Sequence, residues 1–524
     1  MMNRIKDFFS EFEYRVIHEA HRCPFSKMLE DGSIESYSYH DINKKIEFYS
    51  KILKNHSGKY CAVYHTVNVD LLGFILAAFR NNVKIVIRRT SLQDETELRH
   101  DLSEVMMTIP LDSAFITPGF VLPDGKEEIT GFWRLLNPCS YANPHSEDTE
   151  FDFIQFSSGS TGYPRAFCLT LEGLIASADY IRQYHTVRKE SVVFSYLTLS
   201  HIYGFCTGFV LPIIADAQCV LAETSIIRNN PLALFEVIER YKVTHSAVIM
   251  ATLKAALQLQ SIQSKRYDLS SIYCLSLGGE KINPEMLLSV EREMALYGVR
   301  KHALVNSYGM SEKGAVAMEN PDYGNSDCCY KGNSYLAVGP VDKFDVEIGI
   351  FDEDFKKLQE NIEGFVGIAS PYLAHVYFEE RTLLPVPLLI HRGIGYYLNG
   401  DLGFCHEGKA FITGRLARTI VFNGLKVSGE KLDTFAEALL RKLGCKLKRC
   451  YFFNLPKQIN EIVCLIDTNQ SISIKTKTAL QTAVYKEFHV IISDIFIASY
   501  DNENGIGKLS LPKIISAYLD SKKQ

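Results

Sequence analysis

At 524 residues the chain is too long for a single core, and ordinary domain sizes imply about two to four folding units. Hydrophobic residues make up 47% and charged residues 22%, the balance of a globular protein, and a formal net charge of −5 argues against a nucleic-acid surface. Thirteen cysteines, odd in number and without a CxxC pair, fit a reducing compartment better than a disulfide framework or a zinc site. Acidic residues in MMNRIKDFFSEFEYRV stand where a signal peptide needs an apolar core, and the apolar stretches near 69–79 and 204–222 are too short or contain Asp216. The expectation is a cytoplasmic protein with no integral membrane segment and no nucleic-acid partner.

Residues 1–57 read as mostly helical, with Tyr37-Ser38-Tyr39 leading into a helix from Asp41 toward Leu53. Tyr60–Tyr64 reads as a strand, Leu71–Phe79 as an apolar helix and Val83–Ile87 as a buried parallel strand, which together make a βαβ unit. Phe151–Phe156 alternates as a strand, Ala166–Leu169 is a further apolar run, and Thr170 can cap a helix with Leu174, Ile175, Ala178 and Ile181 on one face. Strands are predicted at 192–194, 219–222, 246–249 and 273–277, and helices at 231–241, 252–260 and 285–297, so the α/β alternation runs to about residue 310. From Tyr335 to Thr413 short strands with Gly, Pro and acidic turns suggest a β-rich lobe.

Beyond Arg415 a compact α+β unit is expected. Asn423-Gly424 between Thr419–Phe422 and Leu425–Val427 is a strong hairpin signal, and a helix with Leu432, Phe435, Ala436, Leu439, Leu440 and Leu443 on one side ends at Gly444. Strands near 450–453, 462–466 and 495–498 and a helix near 477–488 complete it. The predicted fold class is α/β: a large N-terminal domain (1–415) with mixed and parallel sheets flanked by helices plus the β-rich lobe, and a small mobile α+β C-terminal domain (416–524).

The loop that follows Phe156 is dense in small and hydroxylated residues: Ser157, Ser158, Gly159, Ser160, Thr161 and Gly162, closed by Pro164 and Arg165. Small residues let the backbone approach a ligand, and hydroxyls with backbone N–H groups suit oxyanions. It is not a Walker A loop, because no Gly-Lys-Ser/Thr opens a helix behind it. Read alone, it is either a flexible connection or a phosphate cradle.

Further stretches join it in order. These are Leu199-Ser200-His201-Ile202-Tyr203-Gly204, Gly278-Gly279-Glu280 after a strand, and Asn306-Ser307-Tyr308-Gly309-Met310-Ser311-Glu312 after another. Gly400-Asp401, Gly414-Arg415 and Gly505-Ile506-Gly507-Lys508 follow. In this register, from about residue 35 to 515, they resemble the adenylate-forming superfamily of acyl-CoA synthetases, fatty acyl-AMP ligases, peptide-synthetase adenylation domains and luciferases.

The resemblance implies a reaction in two halves. A carboxylate attacks the α-phosphate of ATP to give an acyl-adenylate and pyrophosphate, and a thiol then displaces AMP. Phosphoryl transfer needs positioning and charge stabilisation. Ser157–Arg165 would grip the pyrophosphate, and Glu312, with Thr161, would hold Mg2+, a hard cation that wants oxygen ligands. Gly278, Gly279, Glu280, Tyr308 and Gly309 would wall the adenine, with Asn306 and Ser311 in the same motif. Asp401 would accept from both ribose hydroxyls, since a carboxylate is acceptor-only, and Arg415 would lie near ribose and phosphate. Lys508 corresponds to the mobile lysine of adenylation, and His201 to the histidine at the acyl-pocket mouth. The apolar run 205–214 has no carboxylate at its head to pair a substrate amine, which favours an acyl or aryl acid over an α-amino acid. Gly424 and Lys426 match a loop lining the thiol channel.

Departures from the pattern are Arg165 for the usual lysine, Asn399 for Ser/Thr before Gly-Asp, Ala417 and Arg418 at the hinge, and Leu511 where an arginine is often found. Arginine and lysine differ in reach and geometry, and a hinge need not use one residue type. The implied substrates are ATP, a small carboxylic acid and a thiol, either CoA, which the lack of a long insertion in the β-rich lobe favours, or the phosphopantetheine of an acyl carrier protein. A non-catalytic nucleotide-binding relative is the remaining alternative, and retention of Glu312, Asp401 and Lys508 argues against it.

Overall fold

Alternating β-branched runs and amphipathic helices build most of the structure, a computed structural model that describes residues 4–64, 69–88, 111–112, 120–121, 127–128, 133–138, 151–156, 165–282, 284–320, 329–330, 335–379, 382–416, 419–422, 425–455, 458–499 and 511–522. These fall into two compact units. The first draws on 4–156, 165–347 and 368–397, and the second on 348–367 and 398–522. The described part of 416–524 therefore lies in the second unit together with two segments of the β-rich region. The expected α/β class is the class observed.

Two eight-stranded sheets dominate the first unit. In one, the strands Leu304–Met310, Cys274–Leu277, His245–Val248, Val192–Ser195, Gln218–Ala222 and Phe25–Met28 lie side by side and parallel. Antiparallel strands Gly314–Glu319 and Ile34–Tyr37 close its two edges. Parallel strands are buried on both faces, and all four residues of Cys274–Leu277 are buried accordingly. The second sheet runs Thr382–Pro385, Val376–Glu379, Ala166–Leu169, Phe153–Phe156, Lys84–Arg88, Tyr60–Tyr64, Trp133–Pro138 and Leu111–Asp112. The helix Leu171–His185 packs in the core that includes Phe74, Phe153, Phe205 and Phe209. Thr170 caps it, its hydroxyl accepting from Gly173 N at 3.0 Å, as the sequence predicts.

Residues 1–57 are less helical than expected. Between the helices Arg4–His18 and Tyr39–Leu53 the chain forms the hairpin Phe25–Met28 and Ile34–Tyr37. Its turn is made at Gly32, whose φ of +78° is left-handed, with the Asp31 carboxylate accepting from Ser33 N at 2.8 Å.

In the second unit, Arg449–Leu455, Gln458–Asp467 and Asp494–Ala498 form a three-stranded sheet. Alternate residues serve opposite faces. Phe452, Ile462, Cys464 and Ile466 pack with Leu432, Ala436, Leu440, Leu480 and Val484 from the helices Gly429–Lys442 and Ile474–Phe488. Phe453, Val463 and Leu465 pack with Ile514 and Tyr518 of the helix Leu511–Ser521. The expected hairpin is present as Thr419–Phe422 against Leu425–Ser428, with Phe422 opposite Leu425.

Candidate functional site

The C-terminal ends of the parallel strands carry most of the predicted motifs of the first unit, where open α/β sheets place their ligands. Gly278 follows the strand Cys274–Leu277. A Cβ there would lie 3.2 Å from Tyr203 Cε1 and 3.3 Å from Ser307 O, so the position is tight for any side chain. The next residue, Gly279, has φ +82° and turns the chain away, and Glu280 accepts from Ala251 N at 3.3 Å. Beneath this turn the Tyr203 hydroxyl donates to Ser276 O (2.9 Å) and is bonded to Ser276 Oγ (2.8 Å), which is 2.7 Å from Ser307 Oγ.

His201 caps the short helix Ile202–Phe205, its Nδ1 accepting from Tyr203 N at 3.3 Å, which assigns the ring proton to Nε2. A π turn, Cys206–Val210, follows, and then the helix Leu211–Ala215. Such turns are a common mark of functional positions in helices. The segment is buried, and no acidic residue stands in its first turns.

Asn306 is buried and its amide donates to Ala337 O at 2.9 Å. Tyr308 and Ser311 are half-buried. Gly309 sits at a register shift between the strands Leu304–Met310 and Gly314–Glu319, and a Cβ would come within 2.6 Å of Gly314 O. Only glycine fits this bulge, which turns the chain into Ser311-Glu312-Lys313. The Glu312 carbonyl accepts from Ala374 N at 2.8 Å, and its carboxylate accepts from the Tyr397 hydroxyl at 3.0 Å. Tyr397 is 6% exposed, and burial followed by the charge of Glu312 raises its pKa well above the ordinary phenol range. The neighbouring Lys313 is buried, which lowers its pKa to about 8, and it donates to Ala315 O at 2.6 Å.

Arg165 is held in the same unit. Its Nε donates to Glu379 Oε1 at 2.8 Å, and its guanidinium lies 5.3 Å from the Tyr377 ring centre. The bond to Glu379 raises the Arg165 pKa further above an already high value.

In the second unit, Asp401 lies opposite Arg415 in the hairpin that turns at Glu407-Gly408. Its side chain is 3% exposed; Oδ1 accepts from Arg415 Nε at 2.8 Å and Oδ2 from Asn399 Nδ2 at 2.8 Å. Asn399 Oδ1 in turn accepts from Asp401 N at 3.0 Å, across Gly400 with φ +79°. This gives a physical role to Asn399, the residue that departs from the expected Ser or Thr. It accepts from the backbone as a hydroxyl would and also donates to the carboxylate.

Ser157, Ser158, Gly159, Ser160, Thr161 and Gly162 of the predicted cradle, the hinge residues Ala417 and Arg418, Gly424 and Lys508 lie outside the described residues. Lys426 sits in the strand Leu425–Ser428. Nothing in the sequence marks Glu379 or Tyr397, whose partners Arg165 and Glu312 are remote in the chain. Tyr203 stands in the motif after His201, but its bonds to the distant Ser276 leave no mark there.

A divalent cation such as magnesium takes oxygen ligands and is usually held by one or two carboxylates plus substrate phosphates. Among the described residues no group of three or more His, Cys, Asp or Glu is placed to hold a metal. Glu312, a half-buried carboxylate braced by Tyr397, fits the single-carboxylate mode.

Comparison with known proteins fits these observations. The chain is 24% identical over 311 residues to the medium-chain-fatty-acid–[acyl-carrier-protein] ligase JamA of Moorena producens (strain JHB), covering 54% of this chain and 52% of that protein. It is 24% identical over 312 residues to acetyl-coenzyme A synthetase 2 of Candida glabrata, covering 56% and 42%. The chain thus spans about half the length of these curated relatives. Its fold is similar to that of McyG A-PCP complexed with phenylalanyl-adenylate, with a TM-score of 0.76 and 16% identity over 98% of this chain and 84% of that one. The family described as AMP-binding enzyme matches residues 18–378, more than half of the sequence, and the chain belongs to it.

Proposed function

We propose that the protein activates a carboxylic acid with ATP, releasing pyrophosphate and forming an acyl-adenylate, and then passes the acyl group to a thiol. The single observation that carries this reading is Asp401, a buried carboxylate clasped by Arg415 and Asn399 beside a left-handed glycine. A carboxylate so oriented suits the two adjacent hydroxyls of a ribose. Gly278, Gly279, Glu280, Tyr308 and Gly309 wall the adenine, and Arg165 with residues 157–162 binds the departing pyrophosphate. Glu312, with Thr161, would hold magnesium, which when bound neutralises charge developing on the phosphates. Lys508, on a C-terminal domain of residues 416–524, steadies the carboxylate against the α-phosphate.

His201 marks the acyl pocket. The buried helical segment after it offers no acidic partner for a substrate amine, which supports an acyl or aryl acid as substrate. CoA is the acceptor favoured here, and Gly424 and Lys426 line its approach. A carrier-protein phosphopantetheine is the second reading, favoured by the similarity to the JamA ligase.

Acid-dependent ATP–pyrophosphate exchange with a panel of acids tests the first half-reaction. ATP binding without exchange on any acid would overturn it in favour of a non-catalytic relative. Thioester assays with CoA and with a holo-carrier protein separate the acceptors, and failure with CoA across chain lengths sinks the favoured one. Lys508→Ala is expected to remove most adenylation while thioester formation from supplied acyl-adenylate persists; equal loss of both would mean that Lys508 has another role.

A further inference from the structure

Two side chains that the proposed reaction does not use close onto two that it does. The strands Ala166–Leu169 and Val376–Glu379 pair antiparallel with Ala166 opposite Phe378, and one step further along this register Glu379 faces Arg165. The contact from Arg165 Nε to Glu379 Oε1 is 2.8 Å, and the Tyr377 hydroxyl lies 3.4 Å from the other carboxylate oxygen. On the other side, Tyr397 donates to Glu312 at 3.0 Å. The Phe167 ring joins the two arrangements, 5.5 Å from the Tyr377 ring and 6.3 Å from the Tyr397 ring.

A stabilising role explains the Arg165–Glu379 pair poorly. Its side chains are 40% and 35% exposed, and an ion pair so open to water adds little stability. Its geometric effect is larger. A guanidinium gripped at Nε and resting near an aromatic face has its plane fixed, and a planar donor fork is useful to an oxyanion only when its plane is set. The same logic applies to Glu312. A carboxylate that binds a cation is oriented by the hydrogen bond it accepts from the layer behind it, and Tyr397 is anchored for that by its own burial.

We propose that Glu379 and Tyr397 are positioning residues for the polyphosphate end of the nucleotide site. Glu379 sets the guanidinium plane of Arg165 toward phosphate oxygens, and Tyr397 sets the Glu312 carboxylate toward a divalent cation. This rests on the phosphate role of Arg165 and the cation role of Glu312 given above.

The test is equilibrium binding of ATP to the full chain without acid, measured by calorimetry at saturating Mg2+ and across a Mg2+ titration, with thermal melting alongside. Arg165→Ala and Glu312→Gln examine the underlying reading. Glu379→Gln is expected to weaken ATP binding about fivefold at an unchanged melting temperature, and to add nothing in the Arg165→Ala background. Tyr397→Phe is expected to raise the Mg2+ concentration for half-maximal ATP binding about tenfold, and to add nothing in the Glu312→Gln background.

If Arg165→Ala and Glu312→Gln weaken binding while Glu379→Gln and Tyr397→Phe do not, the positioning roles are wrong and the reading beneath them stands. If Arg165→Ala and Glu312→Gln are themselves without effect, that reading falls and the positioning roles fall with it. Losses that add in the double variants mean general structural damage and also overturn the positioning roles. Each pair is decided by its own double variant.

Discussion

Asp216 and Asp401 are both carboxylates clasped by arginine, and they differ in where their partners come from. Asp216, 13% exposed, accepts from the Tyr39 hydroxyl at 2.8 Å and forms ion pairs with Lys189 at 2.9 Å, Arg15 at 3.3 Å and Arg22. Tyr39 and Arg22 lie 177 and 194 residues away, on segments that only tertiary packing brings to the end of the helix Leu211–Ala215. Asp401 takes its partners from two and fourteen residues away, in a hairpin that its own backbone ladder already holds. A clasp between distant segments fastens the fold. A clasp inside a hairpin adds little to folding and much to orientation, which is what a ligand-binding carboxylate needs.

The comparison breaks first at Asp401. Asp401→Ala removes the proposed acceptor for two ribose hydroxyls, and charge-assisted hydrogen bonds of that kind imply a loss of about a thousandfold in kcat/KM for ATP in pyrophosphate exchange. Urea unfolding of the variant is expected to stay close to that of the parent. A large shift in the unfolding midpoint would place Asp401 with Asp216 among the fasteners.

Asp216→Asn has the opposite profile. It leaves Arg15, whose side chain is 9% exposed, without its full countercharge, while Arg22 and Lys189 are 27% and 49% exposed and readily hydrated. The expected destabilisation is about 2 kcal/mol, below the range for a fully buried pair because of that hydration. Exchange activity per folded molecule should be unchanged. Loss of activity at full folding would show that the clasp reaches the site.

How far each carboxylate could be read from sequence follows the same division. Asp401 and Arg415 stand out as candidates because they sit in short motifs, and the helix behind Thr170 is legible because its cap and apolar face lie within a few residues of each other. The Asp216 clasp left no local trace. The hairpin Phe25–Met28 and Ile34–Tyr37 left little more, since Phe25–Met28 is completed by pairing with Gln218–Ala222 almost two hundred positions away. Its polar residues Lys27 and Glu35 blurred the alternation, although Asp31-Gly32 was a usable turn signal. Glu379 and Tyr397 were hidden for the same reason, because strand register fixes the first and a distant carboxylate the second.

Acid sharpens the contrast. Burial pushes the Asp216 pKa up, but hydrogen bonds from Lys189, Tyr39 and Arg22 and the charge of Arg15 outweigh it, and the folded pKa is lowered. A carboxyl depressed in the folded state stabilises fully above its unfolded pKa of about 4, and that contribution is lost as pH falls through the folded value. The stability gap between the parent and Asp216→Asn should therefore hold from about pH 7 down to about pH 5 and close below about pH 4. Urea titrations at each pH measure the gap, and one that persists undiminished under acid would mean that packing, not charge, carries the effect.

The smallest test sets one hydrogen bond in each clasp against the other. Tyr39→Phe keeps the ring that packs edge-on against Phe12 and removes only the hydroxyl that donates to Asp216, so about 1 kcal/mol of stability should be lost with no change in exchange. Asn399→Ala removes both amide contacts to Asp401 and lets the carboxylate turn on its Cβ–Cγ bond. The expected result is a rise of about threefold in the KM for ATP, with kcat and the unfolding midpoint little changed. Each variant leaves its arginine in place, so the pair isolates what the second partner contributes. If Tyr39→Phe alters the KM for ATP, or Asn399→Ala shifts the unfolding midpoint, fastening and orientation are not separable in these two carboxylates.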